Sequence, residues 1–76
     1  MKVTLMTGPG CHLCDDAYKL LKAVERSDLV IEKKNIRDDH DLYHRYAVLI
    51  PVLRREDNLS ELLWPFDQSE LEQFLA

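Results

Sequence analysis

Cys11 and Cys14 stand three residues apart, with only His12 and Leu13 between them. A helix opening at this pair places the first thiol at its N-cap, where unpaired amide N–H groups and the positive end of the helix dipole favour a thiolate. The thiolate is the reactive form, and a spacing of three brings the second sulfur within reach of the first. Cys11 is therefore the expected attacking thiol and Cys14 the resolving one. His12 lies beside the first thiol, either assisting it or simply facing water.

Two other readings of the pair stand beside thiol–disulfide exchange. Cys11 and Cys14 together with His40 and His44 spell C-x2-C followed by H-x3-H, the grammar of a metal module. The 25 residues between Cys14 and His40 exceed the 12 to 15 of a zinc finger and carry a helix and a strand, so the histidines are expected at the surface and no metal is assigned. A binding domain that kept its fold without the chemistry is the remaining reading.

With two cysteines the chain has too few for a disulfide scaffold of the secreted kind. No basic segment followed by a long apolar run opens it, and no stretch approaches a membrane span. The expected location is the cytoplasm, where a close cysteine pair is more often redox-active or metal-binding than structural. A net charge of −4, from ten basic and 14 acidic residues, argues against nucleic acid as a partner. Arg54-Arg55 is followed at once by Glu56-Asp57 and reads as a solvated strand end. The 76 residues leave room for a single domain, residues 1–76, and 46% hydrophobic content supports one core.

The elements around the pair follow from periodicity. Lys2 to Thr7 reads as a first strand, and Gly8-Pro9-Gly10 forces a tight loop. From Cys11 the apolar positions Leu13, Ala17, Leu20, Leu21 and Val24 recur at helical spacing for about four turns, until Ser27-Asp28. Leu29 to Ile36 is a second strand, and the resulting βαβ unit should cross over right-handedly with its strands parallel. Cys11 then sits at the carboxyl end of the first strand, where open α/β sheets place their sites. Asp38 or Asp39 caps a short helix carrying Leu42, Tyr43 and Tyr46. Val48 to Leu53 is an apolar run whose strand should open at Pro51, since proline cannot sit in mid-ladder. Asp57-Asn58 turns the chain into a returning strand, Leu59 to Leu63. Asp67 and Glu70 form a capping box for the last helix, with Phe66 and Leu71 as its hydrophobic staple and Leu71, Phe74 and Leu75 toward the core.

On these residues the whole chain resembles the glutaredoxins, and in particular the short bacterial glutaredoxin-like proteins. The shared features are Cys11-His12-Leu13-Cys14 after the first strand, Ile50-Pro51-Val52 opening the third, and a hairpin leading to a capped final helix. The resemblance implies an α/β, thioredoxin-like fold of order β-α-β-α-β-β-α, with a four-stranded mixed sheet between helices. It also implies a cis peptide bond at Pro51, opposite the cysteines, with the backbone of Ile50 pairing with substrate. Asp67 stands where a family acidic residue holds the amino end of glutathione, although it is equally the N-cap.

The implied activity is that of a monomeric disulfide oxidoreductase acting on a protein or low-molecular-weight disulfide. No cofactor is expected to be bound, and glutathione is the candidate reductant. The chain departs from the family in lacking a lysine before the motif, in carrying Asp15-Asp16 after it, and in having Trp64-Pro65-Phe66 in place of a glycine pair. Asp15 lies one turn beyond Cys11 and opposes a thiolate there, so Cys11 is expected to be less acidic than in a glutaredoxin with a basic flank. Trp64 and Phe66 either widen an apolar surface suited to a protein partner or enter the core.

Overall fold

A computed structural model describes all 76 residues. Four strands, β1 (Lys2–Thr7), β2 (Val30–Asn35), β3 (Val52–Arg55) and β4 (Glu61–Leu63), form one sheet in the order β2-β1-β3-β4. Three helices, α1 (His12–Lys22), α2 (His40–Tyr46) and α3 (Gln68–Phe74), complete the chain, with a single 3-10 turn at Ile36–Asp38. β1 pairs parallel with β2, Leu5 opposite Lys33, and antiparallel with β3, Leu5 opposite Leu53. β3 and β4 are antiparallel. The order and the mixed sheet are those of a thioredoxin-like fold. No helix is long and apolar enough to cross a membrane.

β1 is central and buried on both faces, so its alternation divides the interior in two. Val3 and Leu5 join Leu53, Ala17 and Leu21 of α1, and Phe66, Leu71 and Leu75 around α3, in the larger core. Met6 joins Val52, Ile36 and Tyr46 in a smaller core under α2. Val52 and Leu53, adjacent in β3, supply one side chain to each. Truncating a fully buried leucine such as Leu71 in so small an interior is expected to cost about 2–5 kcal/mol.

Several elements end earlier or open later than the sequence predicts, each for a local reason. α1 stops at Lys22 because Ala23 N–H is shared between the Lys19 and Leu20 carbonyls, both at 3.2 Å, and Val24 N–H bonds to Leu21, tightening the last turn. Leu13, counted on the apolar face, is 49% exposed. β2 stops at Asn35, whose side chain accepts from Arg37 N–H at 2.9 Å and turns Ile36 into the smaller core. Of the Val48–Leu53 run only Val52 and Leu53 enter a strand; Val48 is 94% exposed. β4 opens at Glu61, since Leu59 is left-handed (φ 61°) and Asn58 Oδ1 accepts from Ser60 N–H at 2.9 Å.

Arg54 and Arg55 are not a solvated end: both are half-buried and ion-paired. Arg54 donates to Glu56, which holds that carboxyl below its usual range, and Arg55 does the same to Asp57. Arg55 also donates to the Phe74 carbonyl at 2.8 Å and the Ala76 carbonyl at 3.3 Å, while Arg26 donates to that of Leu75. Two guanidiniums thus satisfy carbonyls at the carboxyl end of α3, which the helix itself leaves unpaired. At its other end the capping box is complete, Asp67 accepting from Glu70 N–H at 2.8 Å. Phe66 is 4% exposed and belongs to the larger core; Trp64 packs edge-on against it at 5.0 Å between centroids.

Candidate functional site

The loop between β1 and α1 presents the cysteines. Gly10 is left-handed (φ 69°), a conformation that favours glycine, and it turns the chain so that Cys11 becomes the N-cap of α1. Cys11 Sγ accepts the backbone N–H of Cys14 at 3.1 Å, doing for this helix what a serine or aspartate oxygen does for others. The two cysteines are joined in a disulfide, their Cα atoms 5.2 Å apart. Cys11 is half-buried, whereas Cys14 is 4% exposed. The sulfur nearer solvent is therefore the one at the N-cap.

Cys11 and Cys14 line a cavity of about 180 Å³ with Thr7, Gly8, Gly10, His12, Asp15 and Lys33. Lys33 is the residue that the sequence pattern left unremarked. It pairs with Leu5 across the parallel β1–β2 ladder, so its side chain leaves the sheet on the α1 side, as Leu5 does. There its ammonium lies 3.8 Å from the ring centroid of Tyr18, one helical turn beyond Cys14. A cation thus reaches the cysteine cavity from β2, in place of a lysine preceding the motif. The signal for it was the parallel register, which spacing along the chain does not display.

The remaining expected site residues are distributed unequally. Ile50 lines a second cavity, of about 190 Å³, with Gly8, Pro9, Ile36, Arg37, Tyr43 and Ala47. Gly8 is common to both cavities and separates them. A Cβ placed on Gly8 would stand 2.8 Å from Ile50 Cδ1, so the glycine permits the close approach of the two loops. The Ile50–Pro51 peptide bond is cis, as is Trp64–Pro65. Pro51 itself is fully buried, and Ile50 N–H donates to the Tyr46 carbonyl at 3.1 Å. Asp67 lines neither cavity, and its carboxylate is engaged in the cap.

Beneath this loop Tyr46 is buried and its hydroxyl donates to Glu61 of β4. Desolvation, then the hydrogen bond to Glu61, raises the phenol above its ordinary pKa. His40 and His44 line neither cavity, so the C-x2-C and H-x3-H halves of the sequence do not meet at the cysteines. No three His, Cys, Asp or Glu side chains converge as a metal cluster.

The profile of the glutaredoxin-like domain family (DUF836) matches residues 2–76. No curated protein matches the chain. The X-ray structure of target protein XcR50 from X. campestris is similar, at 36% identity and a TM-score of 0.81, over 96% of this chain and 93% of that one. The solution structure of XcR50 gives 37% identity and a TM-score of 0.73, over 99% and 92%. A thioredoxin-like sheet, a close cysteine pair at the N-cap of α1 and a family match over nearly the whole length lead to one conclusion: the chain belongs to the glutaredoxin-like (DUF836) family.

Proposed function

We propose that this protein is a thiol–disulfide oxidoreductase whose reactive pair is Cys11 and Cys14. The observation that carries the reading is the asymmetry of the two sulfurs. Cys11 Sγ is the more accessible, caps the helix and accepts the Cys14 N–H, while Cys14 is buried behind it.

In the reducing direction the Cys11 thiolate attacks one sulfur of a substrate disulfide, forming a mixed disulfide and releasing the other sulfur as a thiolate that takes up a proton. Cys14 loses its proton and attacks Cys11 Sγ, which expels the second substrate thiol. The protein is left with the Cys11–Cys14 disulfide and the substrate has gained two electrons and two protons. The amide N–H and the helix dipole stabilise the anion when Cys11 is the thiolate, and Lys33 adds a positive charge across the cavity.

The substrate class is a protein or small-molecule disulfide in the cytoplasm, with glutathione as candidate reductant. Ile50 forms the wall beyond Gly8, whereas Pro51, the other residue the resemblance assigns to substrate, is fully buried and lines neither cavity. Because Ile50 N–H is already bonded to Tyr46, backbone pairing with substrate falls to the Ile50 carbonyl. Asp67 serves first as the cap of α3 and reaches glutathione only at the expense of that cap.

Equilibration in glutathione redox buffers, followed by alkylation and intact mass, tests the assignment. A single reversible two-electron transition is expected. Its absence across the accessible range would remove the oxidoreductase reading and leave a binding domain on the same fold.

A further inference from the structure

We propose that His40 and His44 form a bidentate site for a divalent late transition-metal ion on the outer face of α2, separate from the cysteines. The two residues are one helical turn apart, both exposed, and their Nε2 atoms face each other at 3.1 Å. The rings stand nearly perpendicular, at 89°, with centroids 4.5 Å apart.

The separation of the two nitrogens is the discriminating quantity. Imidazole nitrogens bind zinc at about 2.0–2.1 Å. Two such bonds at a tetrahedral angle put the nitrogens about 3.3 Å apart, and two at the right angle of a tetragonal copper site about 2.9 Å apart. The observed distance lies between these values, so the separation of the two nitrogens already suits a bridging ion. A pair of histidines four apart on one helix face is also the arrangement by which helical zinc sites present two of their ligands.

Without an ion, one ring must donate an N–H to the other's lone pair. On binding, that ring shifts its proton to Nδ1 and both Nε2 lone pairs turn to the metal, with water completing the shell. The flanking segment supplies Asp38, Asp39 and Asp41 against Arg37 and Arg45, a net negative surrounding for a cation. Copper(II) should bind most tightly among the common divalent ions, following the usual order for nitrogen ligands.

Titration of the oxidised protein with copper(II) chloride, followed by visible absorption and calorimetry, provides the test; with Cys11 and Cys14 bonded to each other no thiol competes. One equivalent is expected to saturate. His40→Ala and His44→Ala should each weaken binding by at least about tenfold, the lower end of what loss of even an outer-shell partner costs. His12→Ala, the remaining histidine, should leave it unchanged. The proposal fails if no saturable binding occurs, if either α2 variant binds as tightly as the parent, or if His12→Ala causes the same loss. Both α2 positions are exposed, and His44→Gln, which keeps a polar side chain of similar reach, should reproduce the His44→Ala result with an unchanged far-ultraviolet spectrum.

Discussion

Cys14 donates its backbone N–H to the Sγ of Cys11 across 3.1 Å, so the residue proposed to resolve the mixed disulfide also donates a hydrogen bond to the sulfur proposed to attack substrate. That bond comes from the main chain and survives replacement of the Cys14 side chain. Cys14→Ser should therefore retain a nucleophilic Cys11 and accumulate a one-to-one mixed disulfide with substrate, visible by intact mass. Cys11→Ser should form none, and turnover of a model disulfide should fall to background in both.

Charge around the cavity gives a second expectation. Lys33 and Asp15 line the same cavity as Cys11 with opposite signs. Lys33→Gln removes a cation that favours the thiolate, so the pH midpoint for alkylation of Cys11 should rise; Asp15→Asn should lower it. Each displacement should be less than about one unit, because water and salt screen both side chains. A parent protein already dominated by thiolate well below neutral pH would show that Asp15 does not oppose the anion.

The Tyr46 phenol, raised by burial and by its bond to Glu61, makes stability fall in alkali. A folded-state pKa above the unfolded one contributes stability that is complete below the unfolded tyrosine value of about 10 and is lost as the pH climbs toward the folded value. Tyr46→Phe should cost about 1–2 kcal/mol at neutral pH. The lower part of that range is favoured because Glu61 is exposed and regains water. The variant should also lose the parent's extra destabilisation above about pH 10. Urea titrations at neutral and alkaline pH measure both effects.

Gly8→Ala sets a Cβ against Ile50 Cδ1, the mobile end of a side chain, so Ile50 can rotate away. The fold should persist with a loss of about 1 kcal/mol or less, the low end for overpacking. The proposed disulfide reduction should suffer more than stability, since the displaced residue lines the cavity that adjoins that of the cysteines at Gly8. Denaturant midpoints and turnover measured on the same preparation separate the two.

Arg55 holds the Phe74 and Ala76 carbonyls. Arg55→Met should raise amide hydrogen exchange in α3 while leaving the first turn of α1 unchanged. Uniform acceleration across both helices would mean that the guanidinium supports the whole fold instead of one helix end.

The residues that carried reliable information in the sequence were those acting through local geometry. Cys11 as an N-cap, Asp67 and Glu70 as a capping box, and the switch of period after Gly8-Pro9-Gly10 all depend on neighbours within four positions, and the structure has each of them. What was not legible depends on register and on distant partners. Lys33 enters the cavity only because β2 lies parallel to β1 with Lys33 opposite Leu5. Arg54-Arg55 read as solvated because the acids beside it were visible and the carbonyls at the end of α3 were not. The strand expected to open at Pro51 opens one residue later, at Val52, and before it the Leu49 and Ile50 N–H groups both turn back to the Tyr46 carbonyl, at 2.8 and 3.1 Å.

The division of the interior by β1 bears on how such a site can change. The cysteine half rests on α1 and so on the larger core, through Ala17 and Leu21, whereas Ile50 rests on the smaller one with Tyr46 and Val52. Substitutions beneath α2 are thereby free to reshape what the site admits with little disturbance to the helix end that governs sulfur reactivity. In the proposed activity, selectivity and reactivity become separately inheritable traits of one small protein, joined at a single glycine.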